Sequence, residues 1–290
     1  MIRRSFNNTQ EDNSVRRSTR GLFAIMLTAF ICFSFLLSST GCDTDDDFSP
    51  WQSNPAPKDL TKKHLRRLAE TDIPSFEPFN VAVIADSQID LDGLKTAIRR
   101  INNYPDVDFV LFVGDLTEHG LQQEFLWVKK ELDDLKVPVL TVIGNHDGIS
   151  NGGRIYQRMF GPLNYTFIYR DTQFIMWNNN PYEFGAPDLD WLRTQVGGHY
   201  RNVIVSHQPP YAGPMTASQE AEWKAIRSDE SIIASVHAHT HTLDLTIENG
   251  RLPIFTVTWL ADGRHGFIEF DETNIRFFDC RDGGREEVSE

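Results

Sequence analysis

Residues 139–148 read Val139-Leu140-Thr141-Val142-Ile143-Gly144-Asn145-His146-Asp147-Gly148. The first half is an apolar run of strand length, rich in β-branched residues, and it stops at a glycine followed by three side chains that bind metals or move protons. Gly-Asn and Asp-Gly are also turn formers, so this stretch alone is compatible with a plain turn. The choice between turn and site depends on whether the pattern recurs. In open α/β sheets ligands sit beyond the carboxyl ends of the strands, and a recurrence there would mark a shared edge.

Upstream, Val81-Ala82-Val83-Ile84-Ala85 ends in Asp86-Ser87-Gln88, and Phe109-Val110-Leu111-Phe112-Val113 ends in Gly114-Asp115. Leu91, Leu94, Ala97, Ile98 and Ile101 recur at helical spacing between the first two runs, and Phe125, Val128, Leu132 and Leu135 do so between the second and third. Strand, helix, strand, helix, strand is a parallel βαβαβ unit with right-handed crossovers. Downstream the period changes. Residues 165–169 and 174–177 predict a hairpin turning at Asp171-Thr172. Leu189, Leu192 and Val196 predict a short helix, and residues 202–206 a buried strand ending in His207. Residues 219–228 predict a helix. Residues 232–236 predict a strand running into His237-Ala238-His239-Thr240-His241. The stretch 243–278 reads as short strands with turns at Glu248-Asn249-Gly250 and Asp271-Glu272-Thr273, a meander expected to close a second sheet. The charged residues 281–290 are expected to be a frayed tail.

The chain has 290 residues, 40% of them hydrophobic and 24% charged, enough for one sizeable core. Its net charge of −13 opposes binding to a nucleic-acid backbone, which requires clustered Lys and Arg. Three cysteines, Cys32, Cys42 and Cys280, form neither a disulfide framework nor a zinc cluster. Residues 22–37 are apolar, preceded by Arg16, Arg17 and Arg20 and followed by Ser38-Ser39-Thr40-Gly41-Cys42, the layout of a secretory signal. Thr40-Gly41-Cys42 resembles the lipobox of bacterial lipoproteins, with Ser39 where Leu is commonest. That resemblance implies cleavage after residue 41 and a lipid on Cys42; the alternative is an uncleaved anchor, for which the apolar run is short. Residues 42–78 are then an acidic, proline-containing tether with a short helix at 60–69, followed by a domain over 79–280. The expected location is the cell envelope, held to a bacterial membrane by that lipid.

Five predicted strand ends thus present Asp86 with Gln88, Asp115, Asn145 with His146, His207, and His239 with His241. Two aspartates, two amides and several histidines on one edge exceed what one ion needs, and suit a pair of ions clamping an in-line displacement. Mixed imidazole and oxygen donors favour Mn²⁺, Fe or Zn²⁺. His237 in an extended segment would share a face with His239 and His241. His64, His199 and His265 read as surface or loop residues.

In this order, Asp86, Gly114-Asp115, Gly144-Asn145-His146-Asp147, His207 and Ala238-His239-Thr240-His241 resemble the calcineurin-like metallophosphoesterase superfamily over roughly residues 79–278. The resemblance implies an α/β fold in which two mixed β-sheets pack as a sandwich flanked by helices. It implies a phosphoesterase that hydrolyses mono- or diesters with a metal-bridging hydroxide at a binuclear centre. Carried over by position, Asp86, Gln88 and His241 would hold one metal, Asn145, His207 and His239 the other, and Asp115 would bridge them. His146 would be the general acid. Two departures stand out. The first motif usually reads Asp-x-His, and Gln88 offers instead a neutral oxygen that favours Mn²⁺, Mg²⁺ or Ca²⁺. Ala238 stands where Gly is usual, which is tolerable unless the backbone there needs positive φ. The alternative reading is a catalytically degenerate relative acting as a surface binding module. No obligate protein partner is inferred.

Overall fold

A computed structural model describes residues 49, 51–72, 77–198, 200–213 and 215–289, the side chain of Tyr182 excepted. The secretory signal, Cys42 and His199 lie outside the described residues. Among the described residues no helix is long and apolar enough to cross a membrane.

The elements run α1 (Leu60–Ala69), β1 (Phe79–Ile84), α2 (Leu91–Ile101), β2 (Phe109–Val113), α3 (Gln122–Leu132) and β3 (Val139–Val142). They continue with α4 (Asn145–Gly148), α5 (Gly152–Met159), the hairpin β4 (Tyr165–Tyr169) and β5 (Thr172–Met176), α6 (Pro181–Phe184) and α7 (Leu189–Gln195). The remainder is β6 (Arg201–Val205), α8 (Ala217–Arg227), β7 (Ile232–His237), β8 (Asp244–Glu248), β9 (Leu252–Thr256), β10 (His265–Phe270), β11 (Ile275–Arg281) and β12 (Gly284–Glu287). Two six-stranded mixed sheets result, ordered β12-β11-β10-β1-β2-β3 and β4-β5-β6-β7-β9-β8.

The strands alternate, and this places them in layers. Val81, Val83, Leu111, Val113, Leu140 and Val142 face the second sheet, where Phe174, Val203, Val205 and Val236 meet them. Ala82, Ile84, Val110 and Phe112 face outward, under Leu94, Ile98 of α2 and Phe125, Val128 of α3. On the far side, Ile175, Trp177 and Ile204 pack against Leu192 of α7 and Trp223 of α8. The order is helix, sheet, sheet, helix. The parallel strands β1, β2, β3, β6 and β7 are buried on both faces, so they read as continuous apolar runs.

The second half of the chain departs from the expected meander. β8 and β9 join the second sheet, β9 running parallel to β7, but β10 pairs antiparallel with β1 in the first sheet and carries β11 with it. Between them, Ala261–Gly263 turns on α2, where Gly263 has no room for a Cβ against Thr96 and Ala97. A strand's own pattern specifies its buried face, not which sheet it will pair with. The charged tail is partly ordered as well. β12 pairs with β11 through Phe278↔Glu287 and Cys280↔Arg285, and Arg285 lies over Phe267 and Tyr104 while bonding to Asp106.

Two histidines read as surface residues are structural. His64 on α1 accepts the Val139 N–H at 3.3 Å, covering a donor of the β3 edge that would otherwise be exposed. His265 opens β10 fully buried, with Nδ1 donating to the Gly263 carbonyl at 3.0 Å.

Candidate metal centre

Every parallel strand of the two sheets that carries a predicted ligand ends at the same edge. Asp86 follows β1, Asp115 follows β2, Asn145 follows β3, His207 follows β6, and His239 and His241 follow β7. Asp115, His207 and His239 each offer a ligand atom within 4.8 Å of the others. His207 Nε2 lies 3.2 Å from Asp115 Oδ2, 3.0 Å from Asn145 Oδ1 and 3.2 Å from His239 Nδ1. Asn145 Oδ1 is also 2.9 Å from His239 Nδ1. Asp86 adjoins this group, its Oδ1 3.9 Å from both His207 Nε2 and His241 Nε2. Gln88 is tied in through its backbone, whose N–H donates to the Asp115 carbonyl at 3.1 Å.

Backbone geometry sets these positions. Asp86, Gln88, Ile89, Asp115, His239 and His241 all have φ between 40° and 72°. Non-glycine residues rarely occupy this left-handed region, and strain of this kind collects at functional sites. Gly114, at φ +83, lies against the His207 ring, and a Cβ on Gly144 would stand 2.0 Å from Asp115 Oδ1. Both glycines of the motifs are therefore spacers that let two strand ends approach. Ala238 needs no such freedom, because the left-handed residues are its neighbours His239 and His241. That turn also corrects the reading of His237. His237 ends β7 and the residues after it are not extended, and His237 lies buried with Nε2 2.6 Å from Ser235 Oγ and Nδ1 3.1 Å from Ser206 Oγ. Burial holds it neutral, its pKa down to about 3.

The electrostatics follow from burying two carboxylates together. Burial raises Asp86 to about 7, against the pull of His207. Burial also opposes a charge on His207, but with no ion to replace the proton, Asp115 and Asp86 outweigh it and hold the imidazole protonated up to about 10. Asp115 stays below the ordinary range, because His207 and His146 outweigh its burial. His239 is pushed down to about 4 by burial and then by His207.

Several buried oxygens lack a hydrogen-bond partner among the described residues, and among the predicted ligands Asp86 Oδ1 is the one that does. Such an atom costs free energy unless a cation meets it. Asp115, Asn145, His207 and His239 converge beside it, an oxygen-and-imidazole donor set that fits a divalent transition ion. The tautomer fits too. His207 Nδ1 donates to the Val113 carbonyl at 2.9 Å, which leaves Nε2 as the nitrogen turned to the cluster, a second-sphere bond of the kind that orients metal-binding histidines.

His146 sits at the rim. Its backbone N–H donates to Asp115 Oδ1 at 2.9 Å, and its ring Nδ1 donates to the Glu118 carbonyl at 2.8 Å. Although burial opposes it, that carbonyl and Asp115 raise its pKa, so His146 keeps a proton more readily than a free histidine. His241 is the most exposed of the group, its ring stacked on Trp259 with centroids 5.9 Å apart and planes 12° from parallel. His119 lies outside the cluster, paired with Glu124 at the start of α3. Of the rim arginines, Arg154 bonds Asn151 and Arg158 the Ser53 carbonyl.

The sequence reading missed Thr117, which with Asp147 ties the β2 and β3 ends together, and Trp259. Neither carries a ligand signature. The available hint for Trp259 was a large aromatic just past the strand at 252–257.

A family model described as calcineurin-like phosphoesterase matches residues 79–243. A probable glycerophosphodiester phosphodiesterase of Arcobacter nitrofigilis is 34% identical over 76 residues, 26% of this chain and 28% of that protein's length. The chain thus spans little more than a quarter of that relative. Among solved structures, a dimetal phosphatase from Danio rerio superposes with TM-score 0.59 at 17% identity, covering 73% of this chain and 98% of that one. A purple acid phosphatase from yellow lupin (Lupinus luteus) seeds gives 0.56 at 13% identity, covering 74% and 53%. The anchor protein of the Plasmodium inner membrane complex gives 0.56 at 14%, covering 73% and 88%. At these identities the structural likeness is one of fold.

Proposed function

The chain belongs to the calcineurin-like phosphoesterase family, and from that premise we propose a two-metal phosphoesterase that hydrolyses a phosphate mono- or diester. Its reaction class is hydrolysis of phosphoester bonds, on a fold with a candidate metal triad. The observation that carries the finer reading is the buried, unpartnered Asp86 Oδ1 beside Asp115, Asn145, His207 and His239. Asp86, Gln88 and His241 would hold one ion, Asn145, His207 and His239 the other, with Asp115 shared. Bound there, divalent metal supplies Lewis acidity toward the phosphoryl oxygens and lowers the pKa of water enough for it to attack at neutral pH.

The protein's own residues do the rest. The Val113 carbonyl keeps His207 Nδ1 protonated and Nε2 turned inward. The His146 N–H anchors Asp115 Oδ1, so the residue that orients the shared carboxylate also brings an acid to the rim. With Nδ1 committed to Glu118, the imidazolium form of His146 has its Nε2 proton to give to the leaving oxygen. By the lipobox resemblance we place the domain in the cell envelope, tethered through a lipid on Cys42.

The test is hydrolysis of bis(p-nitrophenyl) phosphate and of p-nitrophenyl phosphate after chelation and again with Mn²⁺ restored. The relative named as a glycerophosphodiester phosphodiesterase makes the diester the first substrate to try. Metal-dependent turnover is the expected result. No turnover with Mn²⁺, Zn²⁺, Fe²⁺ or Mg²⁺ overturns the reading in favour of a binding module, for which Gln88 in place of the usual histidine is the motivating feature.

A further inference from the structure

Trp259 connects the metal edge to a second feature. It is 45% exposed, unusual for so large an apolar ring, and His241 covers part of it. The Thr258 hydroxyl bonds the His241 carbonyl at 2.9 Å, so the two segments are held together. Beyond Trp259 opens a cavity of about 260 Å³ lined by Arg100, Arg264 and Arg281. Three guanidinium groups in one recess are conspicuous in a chain of net charge −13.

These arginines are held in place by carboxylates and keep N–H donors to spare. Buried Asp279 grips Arg264 by Nε at 2.9 Å and Nη2 at 2.6 Å, and Arg281 by Nε at 2.5 Å. That leaves Nη1 of Arg264 and both Nη groups of Arg281 without a hydrogen bond to the described residues. Arg100 faces Asp282 at 3.6 Å, but that carboxylate is 98% exposed and heavily screened. Asp262 also lines the cavity, so with Asp279 and Asp282 three carboxylates balance the three arginines, and what the recess offers an anion is oriented N–H donors. Fixed guanidinium groups with spare N–H donors suit a phosphate better than lysines would, since their planar fork bonds two oxygens at once.

Resting on the proposed phosphoesterase reading, we infer that this recess is a second anion subsite. It takes a phosphate carried by the substrate in addition to the one cleaved, with a planar ring of the substrate laid on Trp259. The substrate class is a phosphoester of the nucleoside bisphosphate type: ring, second phosphate and scissile phosphate in one molecule. The negative charge of the chain at large would discourage polyanions, so the recess provides selectivity where the rest of the surface provides repulsion.

The experiment compares adenosine 3′,5′-bisphosphate with adenosine 5′-monophosphate in Mn²⁺ buffer, by calorimetric titration and as inhibitors of bis(p-nitrophenyl) phosphate hydrolysis. We expect the bisphosphate to bind at least about tenfold tighter, and the advantage to fall below about twofold in Arg100→Gln/Arg281→Gln. Arg264 is left in place because it neutralises buried Asp279. Arg281→Gln alone, at a side chain 57% exposed, gives the same comparison if the double variant does not fold. Trp259→Ala should weaken both nucleotides while leaving inorganic pyrophosphate binding unchanged. Equal affinity for the two nucleotides, or a preference that survives in the arginine variants, overturns the inference. Calorimetry decides this even if hydrolysis is absent, and absence of hydrolysis counts against the phosphoesterase reading separately.

Discussion

Asp147 Oδ1 accepts both the backbone N–H of Thr117 at 2.9 Å and its hydroxyl at 2.8 Å. The other oxygen accepts from Gly144 at 2.9 Å and Leu116 at 3.2 Å. One fully buried carboxylate therefore braces the loops that carry Asp115 and Asn145. Asp147→Asn keeps the volume but turns an amide donor toward N–H groups that need an acceptor. The expected loss is about 2–3 kcal/mol of stability, with weaker metal binding as a consequence. An unchanged urea midpoint would remove the bracing role.

Gly144→Ala places a methyl group on top of the Asp115 carboxylate. Here φ is −97°, so the effect is collision and not backbone strain. We expect a loss of about 1–3 kcal/mol and a fall in metal affinity larger than the change in stability would explain. Titration of Mn²⁺ into the variant and the parent, alongside thermal unfolding of each, separates the two effects.

Asp115→Ala and Asn145→Ala each remove an oxygen from the convergent set. Hydrolysis should drop by at least roughly 100-fold while the circular dichroism spectrum stays unchanged. Full turnover in either variant would contradict the metal assignment.

Gln88→His restores an imidazole where the family usually has one. Bound Zn²⁺ or Mn²⁺ should rise toward two per chain, with the weaker site tightened by about tenfold. Metal content after dialysis against a weak chelator measures this, and an unchanged content would place Gln88 outside the site.

His265 is pushed down to about 4 by burial, against 6.5 when unfolded. Between those values the unfolded chain binds a proton that the native chain refuses, so this residue makes stability fall as pH drops from 6.5 toward 4. Buried Asp86, raised to about 7, works in the opposite direction, which is why the comparison is made between variants. In metal-free protein, His265→Gln should reduce the loss between pH 7 and 4.5 by on the order of 2 kcal/mol. Parallel curves for the two proteins would exclude the contribution.

The sequence by itself determined the strands and helices of the first half and which residues follow each strand, because a buried strand needs an apolar run and a polar stop. Asp86, Asp115, Asn145, His207, His239 and His241 were legible for that reason, and parallel crossovers bring the ends of parallel strands to one edge. Only the tertiary structure decided that β10 and β11 leave the second sheet for the first, since pairing depends on which edge is free when the chain arrives. Only it separated His237, buried between two serines, from His239 and His241, because left-handed turns at those two residues break the alternation a strand would have kept. His64, His265, the Thr117 brace and the arginine recess beside Trp259 were hidden for a common reason. Each depends on residues far apart in the chain, as burial of His265 beside Tyr104 does, and these neighbours are supplied by packing, which local composition does not encode.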